Sequence, residues 1–233
     1  MPIVVSIRGG GRISGAAGPS RGAWGGERRV VVLDDGRALR VDAEELARHG
    51  IASGEAIPGD LAEQLETHGL YVRARDLAVR LLSIRSRSAS ELRLKLRQRG
   101  TPDAQIRAVI DDLTRVGYLD DLAFARGWVA ARLGRRPCGA PRLRRELREK
   151  GVATALVEQA IREAYGEEDP SVAEERYARA LVERRLRVYR HLSPGVRARR
   201  LAGLLERQGF STRTIIRVLR AAGRPGVTGD VDE

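Results

Sequence analysis

The spacing of apolar positions changes character near residue 70. Upstream, RRVVVLDDGRALRV (28 to 41) holds a β-branched run, an Asp35-Gly36 turn and a shorter partner run ending at Val41, the pattern of a β-hairpin. Ile3 to Ile7 can add a third, short strand. Asp42, followed three residues later by Glu45, predicts a capped short helix that stops at Gly50. A second short helix is expected from Pro58 to about His68, ending at Gly69.

From Tyr71 onward the strand signals vanish and apolar residues recur at helical intervals: Leu77, Leu81 and Ile84, then Leu92 and Leu96, then Ile106, Val109, Ile110 and Leu113. The helical region also repeats itself. SASELRLKLRQRG (88 to 100), GAPRLRRELREKG (139 to 151) and RARRLAGLLERQG (197 to 209) align Leu92, Leu143 and Leu201, then Leu96, Leu147 and Leu205, then Gly100, Gly151 and Gly209. Beyond the glycines, Ile106, Val157 and Ile215 coincide, as do Val109, Ala160 and Val218, and Ile110, Ile161 and Leu219. Ser88 with Glu91 reads as a capping box, Thr101-Pro102 and Ser193-Pro194 read as N-caps followed by proline at N1, and the aligned glycines suit left-handed C′ positions.

Each unit is therefore helix, helix, tight glycine turn, helix. A unit of this size is marginal alone, so stacking three of them is the expected solution. The fold class is mainly α: three tandem three-helix repeats, elongated and curved, after a small β-hairpin and short-helix extension. The expected divisions are a flexible Gly-rich leader (1–27, with the short strand at 3–7), the hairpin with its short helices (28–70), repeats at 71–117, 118–166 and 167–223, and a flexible tail (224–233).

Composition narrows the chemistry. Aromatics are 4% of the chain and all hydrophobics 42%, so the core is built mainly from aliphatic side chains. Lys+Arg number 43 against 31 Asp+Glu, a net charge of +12 that favours a polyanionic partner without bearing on fold. The single Cys138 cannot form an intramolecular disulfide, and no apolar run reaches the length of a membrane span or a signal peptide. A cytoplasmic, monomeric protein without membrane attachment is expected.

A catalytic constellation is not apparent. GGGRISG (9 to 15) lacks the lysine of a nucleotide-binding loop, and no His or Cys pair stands at metal-ligand spacing, so neither cofactor nor metal is expected. Asp111-Asp112 and Asp120-Asp121 bring four carboxylates close in sequence, but Asp120 and Asp121 open a helix, where capping and the dipole favour acids. Tyr118, Phe124, Trp128 and Phe210 read as core.

Arginine is more informative. Every middle helix is basic, with Arg93, Lys95, Arg97 and Arg99, then Arg142, Arg144, Arg145, Arg148 and Lys150, then Arg197, Arg199, Arg200 and Arg207. Glu91, Glu146, Glu149 and Glu206 dilute these runs by intrahelical pairing. The expected partner contacts are Lys95, Arg99, Arg142, Arg145, Arg148 and Lys150, with Arg213 and Arg217. The glycine-turned helix pair also suggests a helix-turn-helix that binds duplex DNA directly. Against it, the third helices carry Asp111, Asp112, Glu158 and Glu163, which phosphates repel, and only the last is clearly basic.

Four segments carry a resemblance: SASELRLKLRQRG, GYLDDLAFARGWVAARL from Gly117, GAPRLRRELREKGV from Gly139, and LLERQGFSTRTIIRVL near the C-terminus. In this order, from about Tyr71 to Gly223, the chain resembles the RecX regulatory proteins of bacteria, modulators of the RecA recombinase. The resemblance implies three tandem three-helix repeats and no enzymatic activity. It implies a partner, the RecA filament on single-stranded DNA, with weak direct DNA binding besides. Inhibition of filament extension, ATP hydrolysis, strand exchange and co-protease activity would follow, in DNA repair and the SOS response.

Overall fold

A computed structural model describes residues 1–9, 27–166 and 170–223, apart from the side chain of Pro170. Most of GGGRISG, together with Trp24 and the tail after Gly223, lies outside the described residues. The chain forms two compact units, Met1–Asp120 and Asp121–Glu233.

The first unit opens with an antiparallel sheet of β1 (Val4–Gly9), β2 (Arg28–Leu33) and β3 (Ala38–Asp42), in the order β1-β2-β3. Val31 pairs with Leu39, and the turn between the hairpin strands places Gly36 at φ +86°, as the Asp-Gly signal requires. The third strand expected from Ile3 to Ile7 is present and pairs with β2, Ile7 opposite Val31, with an irregularity between Val4 and Ser6. Val4, Val31, Leu33, Leu39 and Val41 form a buried face with Leu46 of α1 (Ala43–Arg48) and Leu65 of α2 (Gly59–Ile84).

Helix α2 corrects the expectation of a stop at Gly69. It runs unbroken for 26 residues, through Gly69 and on into the first repeat. A glycine inside a helix costs about 1 kcal/mol relative to alanine. Here it serves close packing, because a Cβ at position 69 would lie 2.8 Å from the carbonyl oxygen of Arg40 in β3. The hairpin and the first three-helix unit therefore share one helix.

Asp42 is a second correction. Its backbone does occupy the N-cap of α1, but its side chain makes no capping bond. The carboxylate instead pairs with Arg28, with Arg75 at 3.5 Å and with His68 at 3.4 Å, while Arg28 also reaches Asp76 at 3.2 Å. Arg28 and Arg75 are only 5% and 7% exposed, so these carboxylates hold buried guanidinium groups that would otherwise be prohibitive inside a fold.

Three cores then follow the three repeats. The second half of α2, with α3 (Ala89–Gln98) and α4 (Asp103–Arg115), encloses Leu92, Leu96, Ile106, Val109, Ile110 and Leu113. In the second unit, α5 (Asp121–Arg135), α6 (Ala140–Glu149) and α7 (Thr154–Tyr165) enclose Leu143, Leu147, Val157, Ala160 and Ile161. There too, α8 (Pro170–Val188), α9 (Pro194–Arg207) and α10 (Thr212–Ala222) enclose Leu201, Leu205, Ile215 and Val218. The aligned positions are thus the core positions. Gly100, Gly151 and Gly209 all take left-handed φ values of 72–75°, as expected for C′ residues.

Caps agree in part. The Ser88 hydroxyl accepts from the Glu91 amide at 3.1 Å, and Ser193 stands at the N-cap before Pro194, although, like Asp42, it makes no side-chain capping bond. At α4, however, the N-cap is Pro102 rather than Thr101, because the chain stays extended through the proline before turning helical at Asp103.

Candidate partner-binding surface

The basic middle helices separate into arginines that hold the fold together and arginines left at the surface. In α3, Arg97 donates to Asp103 at 2.9 Å and Lys95 to Gln98 at 3.0 Å, whereas Arg93 and Arg99 are exposed without a partner among the described residues. Arg99 stands at the C-cap of its helix, where a positive charge complements the exposed carbonyls.

In α6 most of the positive charge is committed. Arg144 makes a two-pronged contact with Glu158 of α7, at 2.8 and 2.9 Å. Arg142 donates to Glu146 at 2.9 Å, as its i,i+4 spacing allows, and also to the carbonyl of Arg207 and the side chain of Gln208, each at 3.2 Å. It therefore ties the second repeat to the end of α9. Arg145 lies a loose 3.8 Å from Glu149, and Arg148 is exposed without an ion-pair partner among the described residues. Lys150, the C-cap of α6, sits 4.3 Å from the centre of the Trp128 ring. In α10, Arg217 pairs with Glu175 at 2.7 Å, and Arg213 is exposed and unpaired among the described residues.

Two glutamates organise the second unit, and neither stood out from composition or spacing as an organiser. Glu146 accepts from Trp128 Nε1 at 3.0 Å, from Arg132 at 2.8 Å and from Arg142 at 2.9 Å. Burial alone would raise its carboxyl; the hydrogen bonds from Arg142 and Trp128 and the charges of Arg132 and Arg142 outweigh it and hold the group below the usual carboxylate range. Glu174 of α8, 5% exposed, accepts from the backbone amides of Ala140 at 3.3 Å and Ser211 at 3.2 Å, and from the hydroxyls of Ser211 and Thr214 at 3.1 and 3.0 Å. One carboxylate thus sits at the N-termini of both α6 and α10.

The same junction explains Gly139. A Cβ there would fall 2.1 Å from the carbonyl oxygen of Gly209 and 2.4 Å from Cα of Phe210, and the Gly139 amide donates to the carbonyl of Gln208 at 3.1 Å. The start of α6 and the turn between α9 and α10 touch backbone to backbone.

Acidic residues on the third helices are likewise engaged. Asp112 accepts from Tyr71 at 2.5 Å and pairs with Arg115, and Glu163 accepts from Arg126 at 2.6 and 2.8 Å. Asp121 begins α5, in keeping with the capping role read for the Asp120-Asp121 pair. Of the aromatic residues read as core, Phe124 and Phe210 are buried, and Tyr118 and Trp128 are half-buried.

Among the described residues no helix is long and apolar enough to cross a membrane. The eight cations expected as contacts divide between the units: Lys95 and Arg99 belong to the first and the other six to the second.

Comparison with known proteins agrees with this architecture. Residues 74–113 match the family description "RecX, first three-helix domain", and residues 120–161 match "RecX, second three-helix domain". The regulatory protein RecX of Thermobifida fusca is 39% identical over 173 residues, covering 74% of this chain and 86% of that protein. Its namesake from Streptomyces coelicolor is 39% identical over 150 residues, covering 64% and 77%. That of Pelodictyon phaeoclathratiforme is 34% identical over 157 residues, covering 67% and 93%. A crystal structure of regulatory protein RecX superposes with a TM-score of 0.68 over 94% of this chain and 98% of that one; at 20% identity it speaks to fold alone. Repeat architecture, motif order and identity across most of the relatives' length agree, and the chain belongs to the RecX family of regulatory proteins.

Proposed function

We propose that this protein binds the RecA filament assembled on single-stranded DNA and restrains it, lowering filament extension, ATP hydrolysis, strand exchange and co-protease activity during DNA repair and the SOS response. The observation that carries this reading is the 39% identity to a regulatory protein RecX over 86% of that protein's length. Two compact units on one chain supply linked contacts, and linkage raises avidity through effective concentration without any new interaction. A filament offers repeated acceptors for such a chain.

The contacts are assigned among Lys95, Arg99, Arg142, Arg145, Arg148, Lys150, Arg213 and Arg217. Within this set Arg99 and Arg213 carry the greatest weight, because each is exposed and has no ion-pair partner among the described residues; Arg148, exposed and likewise without an ion pair among them, lies near enough to Glu158 to lower its carboxyl and comes next. Arg145 follows, being held only loosely. Arg142 and Arg217 are committed to Glu146 and Glu175, so binding through them would first cost an existing bond.

The test is RecA-dependent ATP hydrolysis on single-stranded DNA with this protein added well below one molecule per RecA protomer. Strong inhibition at that ratio is expected, and Arg145→Glu with Arg148→Glu should weaken it several-fold while leaving helicity unchanged. Undiminished hydrolysis together with tight binding to bare duplex would refute the proposal in favour of direct DNA recognition. That alternative is weakened by α4 and α7, which carry Asp111, Asp112, Glu158 and Glu163 where groove-reading helices need positive charge.

A further inference from the structure

Between the N-terminal half of α2 and the start of α4, the first unit carries a groove that the proposed function does not use. Its volume is about 750 Å³, within the range of about 300–1,000 Å³ common for binding sites. Asp60, Glu63, Gln64, Thr67, His68 and Tyr71 line one wall, at spacings of i, i+3, i+4, i+7, i+8 and i+11 that make a single stripe of α2. Ala104, Gln105 and Ala108 of α4 line the other, and the two alanines are too small to fill the gap between the helices. Glu45 of α1 adds a further carboxylate.

The lining is acidic on a chain whose net charge is +12, and no lysine or arginine lines it among the described residues. Glu45 is already paired with Arg48 and His49, and His68 with Asp42. Asp60 and Glu63, by contrast, are exposed and have no cation partner among the described residues. Asp60 lies in the first turn of α2, where the helix's own amides draw on its charge, so Glu63 presents the fuller charge. Tyr71 offers no free surface, because its hydroxyl donates to Asp112 and Arg75 lies 5.5 Å from its ring centre. A second feature points to a donor-bearing ligand. The side-chain carbonyl oxygen of Gln105 is enclosed yet accepts no hydrogen bond among the described residues, so an N–H brought into the groove would satisfy it.

We propose that this groove docks an extended, arginine-bearing segment of a protein partner, with guanidinium groups pairing with Asp60 and Glu63 and an N–H reaching Gln105. Guanidinium forks match carboxylates in two-pronged geometry, and an extended segment keeps its backbone amides free for side-chain acceptors, as a helix does not. Nucleic acid is repelled by the same carboxylates. A metal ion fits poorly, because among the described residues no three His, Cys, Asp or Glu side chains converge to hold one. A polyamine brings compact ammonium groups, which cannot fork onto a carboxylate. The groove belongs to the first unit alone and does not rest on the filament reading.

The test uses the full chain, without RecA, and a fluorescein-labelled peptide of alternating arginine and alanine, followed by anisotropy. A chain of net charge +12 has no general attraction for this probe, so saturable binding reports a local acidic site. Affinity should fall about fivefold to tenfold in the Asp60→Asn, Glu63→Gln variant, the scale of two partly exposed ion pairs. It should also fall in Ala104→Phe, Ala108→Phe, which fills the gap from exposed positions without changing charge. Removing two exposed acids from the second unit, Glu183→Gln with Glu206→Gln, should change affinity by less than about twofold. Circular dichroism should be the same for all three variants. The proposal is overturned by absence of saturable binding, by equal weakening in the second-unit variant, or by spermine displacing the probe as effectively as unlabelled peptide at equal charge. Sedimentation showing a self-associated chain that Asp60→Asn, Glu63→Gln returns to monomer would assign the groove to a second copy and overturn it as well. Because RecA is absent, these outcomes are independent of whether the protein restrains the filament.

Discussion

Replacing Glu174 probes the junction of the second and third repeats most directly. In the native fold its carboxylate takes the amides of Ala140 and Ser211 and the hydroxyls of Ser211 and Thr214, all at 3.0–3.3 Å, and it is 5% exposed. Glu174→Ala leaves two backbone amides at helix starts without an acceptor. Orphaned buried groups cost about 1–3 kcal/mol each, and the negative charge facing two helix N-termini is lost as well. The variant no longer bears the desolvation cost of burying a carboxylate on folding, which offsets part of this. The net loss expected is about 3–5 kcal/mol for alanine. Glutamine keeps one carbonyl oxygen, and the two hydroxyls can rotate to accept from its amide, so Glu174→Gln should cost about 1–2 kcal/mol. Urea unfolding followed by circular dichroism measures the loss, and hydrogen exchange localises it, with amides of α10 losing protection before those of α7. A loss under about 1 kcal/mol for alanine, with α10 protection unchanged, would refute the keystone role.

The glycines of the second unit give an internal contrast. Gly139→Ala drives a methyl group into the Gly209–Phe210 backbone and should cost about 3 kcal/mol or more, whereas Gly127→Ala on α5, with nothing within 4 Å of the added Cβ, should stabilise by about 0.5–1 kcal/mol; thermal unfolding ranks the two. Acid sensitivity of the first unit should depend on Asp42. Burial alone would raise its carboxyl, but the hydrogen bond with His68 and the charges of Arg75 and Arg28 prevail and hold it below the ordinary range. A depressed native value means that the unfolded chain takes up the proton first. The stability it contributes is complete above about pH 4 and drains as pH falls through the native value. Asp42→Asn should therefore flatten the fall in urea midpoint between about pH 4 and pH 2. An unchanged acid slope would show that the ion network contributes nothing there.

What could be read from the sequence was what local interactions decide. Helical spacing of Leu92 and Leu96 and their counterparts, glycines at the ends of α3, α6 and α9, and the Asp35-Gly36 turn each depend on neighbours a few residues away, so the pattern alone located them. Three-fold repetition then placed the core, because equivalent residues in equivalent units bury equivalent faces. The expected basic surface was less legible. Arg144 and Arg148 look alike in sequence, yet one is locked to Glu158 of the next helix and the other has no ion-pair partner among the described residues.

The sequence by itself determined the helical repeats, the hairpin and the family. Tertiary structure alone decided what Gly69, Asp42, Gly139, Arg142 and Glu174 do. Gly69 reads as a stop until β3 comes within 2.8 Å of where its side chain would be, and Asp42 reads as a cap until Arg28, Arg75 and His68 converge on it. Glu174 is one acid among many on a charged helix until two helix starts, 34 and 37 residues away in the chain, point their amides at it. The physical reason is range. Propensity, capping and periodicity act over one or two turns, whereas close backbone approach and the pairing of buried charge depend on segments that only folding brings together.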